Sequence, residues 1–183
     1  MRKSLIFTLI MRKHNGMRPQ DVAILLKIVA LNRNDWQIQP LSNELHISIS
    51  EISESLNRSR LAGLIDCKKK RPNRNSLLEF LQHGVKYVFP QSPGAMTRGM
   101  PTAHSHPFMK KHFHSDSNYV WPDAKGEVTG QVVEPFYERQ PEAAKDDSKF
   151  YHLLALVDAI RVGRVRESKL ATDELKRILL DES

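Results

Sequence analysis

The stretch "PLSNELHISISEISESL", residues 40–56, constrains the fold of this chain more than any other. It carries two short apolar stripes on either side of a brief break. In the first, Leu41 and Leu45 stand one helical turn apart, behind Pro40 near the start. The break begins at Ile47. Ser48 then opens a second segment, because Ser48 and Glu51 stand in the S-x-x-E spacing of a helix N-terminus. The serine hydroxyl can accept the amide of residue 51, and the glutamate can reach back. Ile49, Ile52 and Leu56 cluster on one side of the second helix. Ser50, Glu54, Asn57 and Arg58 lie roughly opposite, with Glu51 and Ser53 on the flanks.

The surroundings extend this pair of helices into a larger unit. Upstream, "RPQDVAILLKIVALN" reads as a helix, with Val22, Leu25, Leu26 and Val29 at helical spacing. Pro19 suits its first turn, and Asp21 favours the positive end of its dipole. "NRNDWQIQ" is a polar connector. Downstream, "LAGLI" is followed by "DCKKKRPNRN", which holds Lys68, Lys69, Lys70, Arg71 and Arg74. "SLLEFLQHGVKYVF" then reads as a fourth helix, with Ser76 and Glu79 in capping-box spacing.

Residues 18–89 resemble the MarR-like winged helix-turn-helix transcriptional regulators. The likeness rests on "LSNELHISISEISESL" followed by "LAGLI". His46 stands where many such turns carry glycine, and Ser59 stands where an apolar residue would continue the stripe. The resemblance implies a dimer whose third helix lies in the DNA major groove. It implies DNA contact through Ser48, Ser50, Ser53, Asn57 and Arg58. Glu54, on the outward face, can accept from a cytosine amino group. "DCKKKRPNRN" is short for a full wing, so a truncated wing or basic loop is expected, with Lys68, Lys69, Lys70, Arg71 and Arg74 on phosphates.

Charge distribution agrees with a polyanion partner for the first half. Residues 1–90 carry 15 Lys and Arg against 7 Asp and Glu, whereas residues 91–183 carry 13 against 14. Basic groups that neutralise phosphates release counterions. The single cysteine, Cys67, excludes a disulfide framework within one chain and suits a reducing cytoplasm. The apolar run Ser4–Met11 is too short to span a bilayer, and Arg12, Lys13 and His14 follow it in place of a cleavage site. Residues 1–17 are therefore expected to form an N-terminal arm, and no membrane is expected as partner.

Composition shifts at Phe89–Pro90. Seven of the ten prolines lie between Pro90 and Pro141, yet the segment keeps Phe108, Phe113, Tyr119, Trp121, Phe136 and Tyr137. Residues 90–140 are expected to be irregular but packed, with a β-hairpin in "NYVWPDAKGEVTGQVV" turning near Asp123–Gly126. Trp36 and Trp121 read as packing residues. His104, His106, His112 and His114 form two H-x-H pairs, weak candidates for a metal that lack a neighbouring cysteine. No phosphate-binding glycine loop, nucleophile elbow or zinc-protease motif is present, so no enzyme is expected.

Residues 141–183 read as helices, one carrying Phe150, Leu153, Leu154, Val157 and Ile160, the last carrying Leu170, Ile178 and Leu179. Gly163 separates them. These helices could build a homodimer interface or meet a protein partner, and Arg161, Arg164 and Arg166 could touch nucleic acid. The expected architecture is mainly α: a winged helix-turn-helix-like domain, a small hairpin, and C-terminal helices. The expected function is sequence-specific binding of double-stranded DNA by a homodimeric, nucleoid-associated cytoplasmic transcription regulator, with no cofactor. The alternatives are a winged-helix protein-interaction or antitoxin-type adaptor, and a metal- or ligand-sensing regulator.

Overall fold

In the computed structural model, which describes residues 16–181, helix α1 (Pro19–Leu31) is buried along nine consecutive residues, Asp21 to Val29. A surface helix would expose one side, so α1 has neighbours all round: α3 on one flank and a C-terminal helix on another. This burial takes Lys27 with it. Its ammonium is held by Glu44 at 2.7 Å and Asp147 at 2.8 Å. Burial alone would lower its pKa, but the hydrogen bonds to those two carboxylates outweigh burial and raise it. The N-terminal arm expected over 1–17 lies almost wholly outside the described residues.

Helix α2 (Ile38–Leu45) starts two residues before Pro40 and buries Leu41 and Leu45. His46 closes it in the left-handed conformation, φ 56°, the position that glycine would occupy more easily. Helix α3 (Ile49–Leu61) follows after a two-residue turn, and Gly63, φ +72°, ends the path beyond it. The chain then doubles back. Ile65 and Pro72 form an antiparallel bridge, flanked by amide bonds from Asp66 to Arg71 and from Asn73 to Leu64, each 2.9 Å. This is a truncated hairpin.

The expected fourth helix is present but differently built. It runs as α4 (Arg74–Glu79), one wide π turn at Phe80–Gly84, and α5 (Val85–Val88). Asn73 is its cap, accepting from the Ser76 amide, so Ser76 and Glu79 do not form the capping box expected of them.

The hairpin expected in 118–133 is not formed. The turn exists, with Gly126 donating to the Asp123 carbonyl at 2.9 Å. The strands do not pair antiparallel across it. β1 (Met96–Pro101) runs antiparallel to both of them: its first half pairs with β3 (Val128–Val132) and its second half with β2 (Tyr119–Pro122). β2 and β3 are parallel to each other, closing a three-stranded ring. Gly99 lies where β1 changes partner. A Cβ there would stand 2.0 Å from the Trp121 carbonyl oxygen, so only glycine permits that approach. Between β1 and β2 lie a single 3₁₀ turn (Ala103–Ser105) and α6 (Pro107–Lys110).

Helix α7 (Gln140–Lys145) leads into α8 (Ser148–Val162), which is buried continuously from Leu153 to Ile160. α9 (Val165–Lys176) packs over it, and a terminal π turn (Arg177–Asp181) packs against α4. One hydrophobic cluster joins α1, α2 and α3 to Trp121, Phe136 and α8. Asp158 of α8 ties the sheet region in by accepting from Thr102 at 2.8 Å and from the Trp121 indole at 2.6 Å. Burial raises its pKa, opposed chiefly by Arg161. Among the described residues no helix is long and apolar enough to cross a membrane.

Candidate nucleic-acid interface

The N-terminal half of α3 keeps the expected serine cap but not the full capping box. Ser48 Oγ accepts from the Glu51 amide at 3.3 Å. Glu51 does not reach the Ser48 backbone. Its carboxylate instead accepts from the Ser48 hydroxyl at 3.1 Å. Ile52 and Leu56 are buried against the body, and Ser48 and Ser50 are exposed. Ser53, Glu54 and Asn57 are half-buried.

Two α3 residues are not where the apolar spacing puts them. Ile49 is 44 % exposed, and Arg58 is only 6 % exposed. Arg58 is turned inward onto Asp21, itself 0 % exposed, with Nε–Oδ2 2.8 Å and Nη2–Oδ1 2.6 Å. That is a bidentate guanidinium–carboxylate fork. The Asp21 hydrogen bonds raise the Arg58 pKa, while burial opposes them. Arg58 therefore fixes α3 to the start of α1, and its guanidinium is committed to Asp21. The inward turn follows from Ser55 and Ser59. Both are fully buried, and their small side chains bring that flank of the helix against its neighbours. Among the described residues their hydroxyls have no hydrogen-bond partner.

The five basic residues of the hairpin also divide. Lys70 folds back over Trp36, 4.3 Å from the ring centre, and donates to the Trp36 carbonyl at 2.6 Å. The Trp36 indole returns a bond to the Lys70 carbonyl at 2.9 Å. Arg74 bonds to Asn32 Oδ1 at 2.7 Å and to the carbonyls of Ile178 and Leu179 at 3.4 and 3.2 Å. Both side chains hold the fold together. Lys69 donates to Asn57 Oδ1 at 2.5 Å and so joins hairpin to α3. Lys68 and Arg71 are exposed. The hairpin's own turn is organised by Asp66, which accepts from the amides of Lys70 and Arg71 at 2.6 and 3.1 Å.

The histidines do not gather. His104 is buried, donates from Nε2 to the Ser117 carbonyl at 2.8 Å and stacks edge-on against Tyr119. His106 caps α6 by accepting from the Phe108 amide at 3.2 Å and packs on Tyr151. Burial, with help from the charge of His152, lowers its pKa to about 3. His112 and His114 are exposed on the following loop. Among the described residues no three His, Cys, Asp or Glu side chains are grouped to hold a metal ion.

At the C-terminus, Arg161 lies over the Phe136 ring at 4.4 Å and bonds to Asp158, Phe89 and Glu134, so it is committed to packing. Arg164 and Arg166 are exposed. The apolar stripe of α8 is covered by the chain itself, leaving none of it for a second copy. Arg18 and Gln20 border the outer face of α3, in a groove of about 170 Å³ with Ser50, Glu51, Glu54 and Arg58. Nothing in their spacing marks them, because they precede or open α1 rather than belonging to α3. No protein-family model, no curated protein and no solved structure matches this chain.

Proposed function

We propose that the chain binds double-stranded DNA and regulates transcription, with the outer face of α3 against the major groove and the hairpin against the backbone. The observation that carries this reading is the Lys69–Asn57 hydrogen bond. It fastens the basic hairpin beside the exposed half of α3, so that polar side chains and positive charge form one continuous surface. Ser48, Ser50, Ser53, Glu54 and Asn57 supply hydrogen-bonding groups for base edges. Lys68 and Arg71 supply phosphate contacts, joined by the exposed Arg60 near the end of α3. No catalytic step and no cofactor enter this reading. A homodimer would be built from surfaces other than α8.

Selection of bound duplexes from a random pool tests it. A recovered two-fold-symmetric motif, with binding that weakens steeply as salt rises, supports both readout and dimer. Absence of binding to any duplex at low salt sinks it.

A second reading has its own observation. Ile49 and Leu61 are 44 % and 62 % exposed on the same helix that carries Glu51 and Glu54. Exposed apolar side chains beside acidic ones on one helix suit a protein partner with basic, apolar complementarity. Under this reading Ile49→Ser and Leu61→Ser abolish partner binding in a purified pair and leave folding intact.

A further inference from the structure

A second groove lies at the root of the hairpin, between its return strand and the connector from α1 to α2. Its volume is about 460 Å³. Arg33 and Asn34 line it from the connector, and Arg71 and Arg74 from the hairpin side. Among the described residues no carboxylate lines it.

The positive charge in this groove is available. The nearest approach of Arg33 to a carboxylate is 3.9 Å, to Asp35, with both side chains largely exposed. A surface pair of that length contributes close to nothing. Arg71 has its backbone amide fixed on Asp66, while its guanidinium has no partner among the described residues. Among the described residues Arg74 is bonded only to neutral acceptors, the Asn32 amide oxygen and two carbonyls. Those bonds hold its guanidinium plane in place. Among the described residues, the three arginines of this groove thus have only the distant, exposed Asp35 carboxylate beside Arg33 to offset their charge, and the guanidinium fork matches phosphate oxygens.

We propose that this groove seats the sugar–phosphate backbone of a nucleic-acid duplex, with Arg33 and Arg71 as its phosphate contacts. Asn34 donates an amide hydrogen to the same strand, and Arg74 forms a fixed positive floor. The donors are strung along two exposed segments instead of converging on one enclosed point, which suits a polymer of phosphates over a single free anion. The inference rests on the DNA-binding reading. It adds Arg33 and Asn34 to the surface and moves the main backbone contact from the hairpin tip to its root.

The test is a salt titration of duplex binding by the full chain and by Arg33→Ala, Arg33→Lys and Lys125→Ala. Lys125 is an exposed lysine outside the groove. Removing one phosphate contact lowers the slope of log affinity against log salt by about one. Arg33→Ala is expected to show that loss, equally for all sequences. Arg33→Lys should keep most of the slope, and Lys125→Ala should keep all of it. Unchanged melting of the variants assigns the loss to the contact. If the parent chain binds duplex and Arg33→Ala has the same slope, the groove assignment is overturned while the DNA-binding reading stands. An equal loss in Lys125→Ala overturns it too, since the effect is then one of net charge. Displacement of duplex by inorganic phosphate at constant ionic strength would mark a free-anion site instead. A parent chain that binds no duplex overturns both.

Discussion

The two grooves beside α3 and the hairpin are opposite in sign. The one against α3 is lined by Arg18, Gln20, Ser50, Glu51, Glu54 and Arg58, and Arg58 is already committed to Asp21. The one at the hairpin root has, among the described residues, three arginines and no carboxylate in its lining. A formal count of charge along the sequence ranks the segments differently from the field they produce. Arg58 and Lys70 are consumed by Asp21 and Trp36, whereas Arg33, in an unremarkable polar connector, is free to act. Under the proposed DNA-binding function, labour divides between two surfaces. The α3 side presents hydrogen-bonding groups with little net attraction, and the hairpin root presents attraction with little sequence information.

The largest effect that can break this comparison is Arg58→Ala. It leaves Asp21 fully buried without its guanidinium, and removing one partner of a buried pair costs about 3–5 kcal/mol. Urea unfolding should show that loss. Asp21→Asn combined with Arg58→Ala should cost less than the sum of the two singles, since the pair acts as a unit. A stable Arg58→Ala that loses only discrimination between DNA sites would return Arg58 to the reading face and void the division.

The next effect sets the pH at which the two grooves can be compared cleanly. His106 has a folded pKa of about 3, below its ordinary value of 6.5. The unfolded chain therefore binds more protons between those values. Stability from this group is complete above pH 6.5 and falls as pH drops toward 3, by at most about 1.4 kcal/mol per pH unit. Unfolding measured between pH 7.5 and about pH 5 should show the decline, and His106→Gln should flatten it. A flat profile in the parent chain would show that His106 protonates without penalty. Duplex binding is best measured above pH 7, where protonation of His106 does not enter.

Lys70 and Lys68 provide a smaller contrast within one hairpin. Lys70→Met removes the ring contact and the bond to the Trp36 carbonyl, and should cost about 1–2 kcal/mol of stability. Lys68→Ala should leave stability unchanged and weaken DNA binding at all sequences. Equal behaviour of the two in unfolding and in binding would mean that the hairpin's charges are interchangeable, and that the packing of Lys70 on Trp36 carries no weight.

What could be read from the sequence depended on how local its cause was. Ser48 capping α3, and Leu41, Leu45, Ile52 and Leu56 facing inward, follow from spacing within a few residues. The inward turn of Arg58 was not legible. It depends on two serines acting as core residues and on Asp21, 37 residues earlier. β1 was hidden for a different reason. Gly94, Gly99, Pro93 and Pro101 in and around it argue against a strand, yet Gly99 is what lets the ring close. The Asp123–Gly126 turn was visible, but which strand each arm pairs with is set by β1, a segment about twenty residues upstream. The apolar face of α8 was legible, while its cover by the chain's own middle segment was open at that level.

The smallest expected effect bears most directly on the acidic groove. Glu54→Gln removes the charge of one of its two glutamates with little change of shape. If Glu54 acts only through the field, duplex affinity should rise by about two- to fivefold for every sequence, the size of one exposed charge interaction. The salt slope should then stay near that of the parent chain, because no phosphate contact has been added. If Glu54 instead accepts from a cytosine amino group, affinity should fall at one position of the site only, by about 1–3 kcal/mol of discrimination. The uniform gain is the expected result, because Glu54 and Glu51 line the same groove and together oppose the approach of a phosphate. A position-specific loss would make the acidic groove the reader and confine the basic groove to holding the strand in place.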